Sequence, residues 1–252
     1  MRAFFSRRPI IATLGVWVLI FAIQGVGAAV FQAVAPQIPE LIQRLLLLIL
    51  LCVLTVALLF GLRYWREAGF VGPSRWRDMG LIWLPLLLSL SPLIGGVRPL
   101  DSGTISIFVV GYLLTGFFEE SVYRGIFLGF LKSKGVWAGV LISSILFGSE
   151  HLTRLFFGSA PATVGWQVLF AFCQGVAFCA LLLRTGTIWP LIFLHALWDF
   201  MLNTAHLPMM LYPVVYLTLL GYGVFLLRRG VTLTGEAARP ESGATPAAAP
   251  QG

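Results

Sequence analysis

Eight stretches of this chain are too long and too apolar to be left in water, and they limit the fold to helices packed in a bilayer. Bounded by charge, proline or glycine, they run over about 10–33, 42–62, 80–97, 105–131, 136–153, 163–183, 187–204 and 209–227. A bilayer core about 30 Å thick takes roughly 20 apolar residues per helical span, and most of these runs approach or exceed that. The predicted fold class is therefore all-α, a polytopic transmembrane bundle of about eight spans occupying residues 1–230. Composition agrees, with 58% of residues hydrophobic, 11% charged and a mean hydropathy of +0.91, well outside the range of a soluble domain. The run at 80–97 is the least regular, because Pro85 and Pro92 interrupt it.

The first run follows Arg2 to Pro9 and imitates a signal peptide, with small residues from Gly27 to Ala29 as a cleavage site. It is longer than the 7–15 residues or so of a usual signal core and long enough to span, so a retained helix is expected. The net charge of +7 does not point to nucleic acid, since the basic residues are scattered singly and form no patch. They read as determinants of orientation. If the N-terminus is cytoplasmic, the inside segments hold thirteen: Arg2, Arg7, Arg8, Arg63, Arg66, Arg75, Arg77, Lys132, Lys134, Arg184, Arg228, Arg229 and Arg239. The outside loops hold three, Arg44, Arg98 and Arg154. That imbalance predicts an integral protein of the cell membrane with both termini cytoplasmic. Three cysteines, all within apolar runs, support neither a disulfide framework nor a metal spacing.

Between the second and third runs, Tyr64 to Met79 alternates aromatic and charged residues around Gly72-Pro73. It reads as a cytoplasmic loop lying in the interface through Trp65 and Trp76. The last stretch, 231–252, is rich in Ala, Pro and Gly and is expected to be a disordered cytoplasmic tail. Gly125, Gly129 and Gly139 are expected where helices approach closely.

Charge inside the apolar runs carries the chemistry. The run Gly116 to Phe130, GFFEESVYRGIFLGF, holds Glu119, Glu120 and Arg124. A charge at mid-bilayer costs about 2.5–3.5 kcal/mol on insertion scales, so these groups must face protein or a wet cavity and must have partners. On a helix Glu120 and Arg124 share a face at i and i+4, while Glu119 is turned about 100° away. Such a pair of neighbouring carboxylates can be one structural ion pair and one working acid or base. The fifth run ends in Phe147, Glu150 and His151, and the seventh places His195 and Asp199 at i and i+4. Carboxylates and imidazoles brought inward by three helices suit a hydrolytic site, with a base for water and groups for an oxyanion or a metal. Taken singly, each has a blander reading. His195 and Asp199 could be a packed hydrogen-bonded pair, Glu150 could face the outer rim, and His206 reads as a packed loop residue.

As a set, Glu119-Glu120 with Arg124 resembles an EExxxR motif, Phe147 with His151 an FxxxH motif, and His195 with Asp199 an HxxxN/D motif. These are the motifs of the CPBP group of intramembrane proteases, the Abi or CAAX-protease-like family that includes the type II CAAX prenyl endopeptidase. The likeness lies within about 105–204. It implies an eight-helix bundle whose site opens from the membrane or the cytosol, and hydrolysis of a peptide bond. By the same likeness Glu119 activates water with His151, His195 and Asp199 bind the oxyanion, and Glu120, Arg124 and Phe147 support them. The implied partners are a peptide or membrane-protein substrate, with or without a prenyl group, and the lipid bilayer.

Two departures keep a metal in play: Asp199 stands where relatives often carry asparagine, and Glu150 directly precedes His151. The alternative is a zinc site of His151, His195 and Asp199. Because no HExxH helix is present, water activation without a required cofactor is the preferred expectation. Counting along the helices puts Glu119 and His195 at similar depths and His151 a turn or more farther out. A proton- or ion-coupled transporter could use the same groups, although no pair of interrupted helices recurs in two halves. A catalytically silent relative acting as a scaffold or immunity protein is the other alternative.

Overall fold

The computed structural model describes residues 1–229; the expected tail at 231–252 lies outside the described residues. Among these residues the regular structure is helical, and the only strand-like pairing is an isolated antiparallel bridge between Val97 and Ala205. The helices are α1 (Arg2–Arg7), α2 (Pro9–Val34), α3 (Glu40–Leu62), α4 (Trp83–Ser89), α5 (Ser102–Glu119), α6 (Leu128–Leu131), α7 (Val136–Glu150), α8 (Pro161–Thr185), α9 (Trp189–Thr204) and α10 (Leu211–Arg228).

Seven helical stretches are long and apolar enough to cross a membrane. The remaining expected span is α9, which has 16 residues. At 1.5 Å per residue that is about 24 Å, short of the roughly 30 Å hydrocarbon core. Its Leu191, Leu194, His195 and Trp198 are buried against neighbouring helices. The irregular run at 80–97 is a single turn-rich stretch, in which 3₁₀ turns at Trp76–Ile82 and Ser91–Gly95 flank α4. Pro92 lacks the N–H that would continue the α-helical ladder.

The longest stretch, Ser102–Lys134, holds 33 residues and is not α-helical throughout. From Glu120 to Phe127 it widens into a π-helix, with every residue of that segment buried. Inserted π turns are uncommon and tend to sit where side chains must be re-aimed. The widened segment is braced by Ser143, whose hydroxyl donates to the Tyr123 carbonyl at 2.6 Å, and by Ser121, which bonds back to the Phe117 carbonyl.

The connections sort into two ends of the bundle. At one end Arg2 pairs with Glu67 at 2.8 Å, Phe5 packs on Phe130, Ile188 N–H donates to the Gly69 carbonyl at 2.9 Å, and Ser74 N–H to the Thr185 carbonyl at 2.7 Å. At the other, Arg98 N–H bonds the Thr204 carbonyl at 2.8 Å, Gln32 reaches the Phe156 carbonyl, and the Arg44 guanidinium lies over the Phe157 ring at 4.7 Å.

The Tyr64 to Met79 segment differs from the surface loop expected. Trp76 is exposed, but Tyr64 and Ala68 are buried, and Thr187 Oγ1 donates to the Val71 carbonyl at 2.6 Å. The first half of the segment is a plug between the π-helix and the α8–α9 turn. Gly125 and Gly129 do mark close approaches, but to Ala68 and Tyr64 of this plug rather than to another span. Gly139 packs against the backbone at Lys132. In lipid the hydrophobic effect does little to hold helices together, so such van der Waals fits and interhelical hydrogen bonds carry the association.

Candidate active site

The site is built where α5 meets α9. A Cβ placed on Gly116 would lie 2.5 Å from the Ile192 carbonyl oxygen, so only glycine lets the two backbones approach this closely. One turn farther along each helix, Glu119 and Glu120 face His195.

His195 is the hub and is 3% exposed. Its Nδ1 lies 2.7 Å from Glu120 Oε1, and its Nε2 lies 3.3 Å from Glu119 Oε2 and 3.7 Å from Asp199 Oδ2. Glu120 Oε1 is also 3.1 Å from the Arg124 guanidinium, and both side chains are fully buried. A carboxylate paired to an arginine can only accept, so His195 carries a proton on Nδ1 and turns Nε2 toward Glu119 and Asp199. The two adjacent glutamates do occupy different environments, as their helical offset predicts. They nonetheless converge on one imidazole from opposite sides, because Glu119 ends the α-helical part and Glu120 begins the π-helix.

Arg124 has a second kind of support. Its guanidinium sits 3.9 Å from the centroid of Phe147 and 5.6 Å from that of Phe178, a buried cation between aromatic faces. Phe147 also packs edge-on against both imidazoles, at 5.4 Å from His151 and 5.9 Å from His195. Its ring thus touches both histidines.

His151 is not brought to Glu119 by any hydrogen bond. It begins the 3₁₀ turn that follows α7, and its Nδ1 lies 3.3 Å from the Phe147 carbonyl. That carbonyl can only accept, so the proton sits on Nδ1 and Nε2 is left as the ring's base. Glu150 corrects an expectation: it does not face the outer rim but is 4% exposed. It accepts from Gln24 Nε2 at 2.8 Å, and Gln24 Oε1 accepts in turn from Thr153 at 3.1 Å. Gln24 escaped the sequence reading because a lone glutamine in the first apolar run has no motif around it. His206 is an exposed loop residue whose Nδ1 lies 3.3 Å from Arg98, not a packed one.

A cavity of about 720 Å³ has Glu119, Glu150, His151 and Asp199 in its wall. Glu120, Arg124 and His195 are not in that wall and stand behind it. The rest of the lining comes from the halves of the helices nearest Arg44 and Arg154. The cavity thus opens toward the end opposite the one that carries Lys132 and Lys134.

The zinc alternative names His151, His195 and Asp199, which the fold does not gather into one cluster. Among the described residues no three His, Cys, Asp or Glu side chains are grouped to hold a metal ion. Nε2 of His195 is engaged by Glu119 and Asp199, while Nε2 of His151 is left free at the cavity wall.

Fold and site together define a multi-pass helical membrane protein with a buried glutamate–histidine centre beside a cavity. Residues 101–201 match the family described as type II CAAX prenyl endopeptidase Rce1-like. The match spans the three motifs, and the resemblance to the CPBP group of proteases is borne out over that stretch. No curated protein matches the chain.

Proposed function

We propose that the protein is an intramembrane endopeptidase that hydrolyses a peptide bond with water activated by Glu119. The observation that carries this reading is that Glu119 lines the cavity while its neighbour Glu120 is locked behind it by Arg124 and His195. One carboxylate is free to work and the other sets the imidazole.

Glu119 takes a proton from water as the water oxygen attacks the peptide carbonyl carbon. The carbonyl oxygen becomes an oxyanion, which accepts a hydrogen bond from Asp199 in its acid form, while protonated His195, directly behind Asp199 and Glu119, supplies positive charge to the site. The C–N bond then breaks, with the proton held by Glu119 passing to the leaving amine. His151, with Nε2 free, lines the same cavity and shares the water or receives that proton in transit. No metal or other cofactor is part of this route. The substrate is a peptide or membrane-protein segment, with or without a prenyl group. The protein sits in the cell membrane with both termini cytoplasmic, a reading supported by the basic bias.

The test is incubation of the purified protein with matched prenylated and unprenylated peptides, followed by mass spectrometry of the products. Cleavage that disappears in Glu119→Gln supports the reading. Absence of cleavage from a folded protein, with proton flux across proteoliposomes instead, would favour a transporter.

A further inference from the structure

The three arginines that stand apart from the basic end of the bundle are not distributed at random around the cavity. Arg44 and Arg154 both line it, in company with Glu119, His151 and Asp199. Taking that end as extracytoplasmic, as thirteen basic residues against three imply, the mouth faces away from the cytosol. The likeness implies access from the membrane or the cytosol, and an extracytoplasmic mouth departs from the second of these routes.

The charges in the wall are unequally engaged. Glu40 is ion-paired to Arg44, Glu150 accepts from Gln24, and Glu119 and Asp199 flank His195. Arg154 has no hydrogen bond or ion pair from its side chain among the described residues, although its charge is felt at Asp199 and Tyr112. It lies three residues beyond His151 on a 3₁₀ turn, hence about 6 Å along the axis at roughly 2 Å per residue. An anionic group attracted by Arg154 would be stopped there by the carboxylates deeper in.

The geometry points to a site that takes an exported polypeptide from the extracytoplasmic side and holds an acidic side chain of it at Arg154, with Arg44 alongside. This rests on the protease reading for its consequence, but access and binding can be measured without turnover. Arg154 is then a specificity-determining residue that sets which bond reaches Glu119.

Access is tested with Asn203→Cys, at the mouth, and Lys134→Cys, at the other end, each exposed to a membrane-impermeant maleimide in spheroplasts. The native chain is the control, since its three cysteines are buried. Labelling of Cys-substituted 203 from outside, with position 134 labelled only after permeabilisation, is the expected result. Labelling of 203 only from the cytoplasmic side, or from neither side, overturns the proposal.

Recognition is tested in nanodiscs with Glu119→Gln, which binds without cleaving, and two apolar peptides differing by one Glu for Gln. The Glu peptide should bind at least fivefold more tightly, and Arg154→Gln should erase the difference. Equal binding of the two peptides by the Arg154-containing protein overturns it. Failure of hydrolysis by the unsubstituted protein would instead count against the protease reading alone.

Discussion

Glu119 and Glu120 are adjacent in sequence, but the fold gives them work that a substitution can tell apart. Glu119→Gln keeps shape and loses the proton acceptor, so hydrolysis should fall by about 10²–10⁴-fold, the usual worth of general-base catalysis, with thermal stability unchanged. Glu120→Gln leaves the Arg124 guanidinium buried without its anion, a change that commonly costs about 3–5 kcal/mol. That variant should express poorly and melt earlier, and its activity should fall with its fold. Parallel thermal melts and rate measurements on the two variants check this, and purely catalytic losses in both would reverse the assignments. Asp199 separates the chemistry more finely. An ionised carboxylate repels an oxyanion and has no proton to give, whereas an amide donates at any pH. Asp199→Asn should therefore keep much of the activity and extend it to higher pH, read from the pH–rate profile with bound metal quantified in both proteins. An inactive variant that had also lost stoichiometric zinc would overturn the metal-free route.

At the scale of elements, the site depends on how α5 starts, where it widens and how near it comes to α9. Asp101 caps α5, accepting from the Thr104 hydroxyl at 2.6 Å and the Thr104 N–H at 2.9 Å. Those bonds hold its carboxyl below the ordinary aspartate range. A depressed folded-state value means that the cap contributes fully above the unfolded pKa and is lost as pH falls through the folded one. Asp101→Ala should speed hydrogen exchange at the Thr104 and Ile105 amides at neutral pH, and Asp101→Asn should not, because asparagine also caps. Gly116→Val should push α9 from α5, since even a Cβ there meets the Ile192 carbonyl. The expected readout is loss of hydrolysis together with a lower melting temperature. Neither the cap nor the π segment changes the apolar pattern of the run, which is why the sequence pointed to a plain helix over 105–131. A period of 3.6 fits Glu120 and Arg124 well enough, and the bond that braces the widened segment comes from Ser143 on α7, twenty positions from Tyr123 in the chain.

For the whole molecule, hydropathy made the all-helical membrane class and most spans legible, because lipid leaves the chain few alternatives. The run at 187–204 was legible as a span, but the shortness of its helix and the burial of the plug were not: α9 and the 64–71 segment are defined by what buries them as much as by their own composition. Among the site residues, the motif positions were recognisable because charge in an apolar run is conspicuous. Gln24, and the sharing of His195 by both glutamates, became visible only once distant helices met.

The distance along the chain between those partners has a consequence for biogenesis. Glu120 bonds to a histidine 75 residues later, and at about 5–20 residues per second synthesis of that interval takes roughly 4–15 s. For that time the stretch carrying Glu119, Glu120 and Arg124 must leave the translocon with only the Glu120–Arg124 pair formed and Glu119 without an imidazole. It should linger beside the insertion machinery until α9 arrives, so nascent chains stalled after Arg184 should crosslink to the translocon through α5 while chains extended past His206 should not. A chain permanently truncated at Arg184 would then be a substrate for membrane quality control rather than a smaller folded bundle.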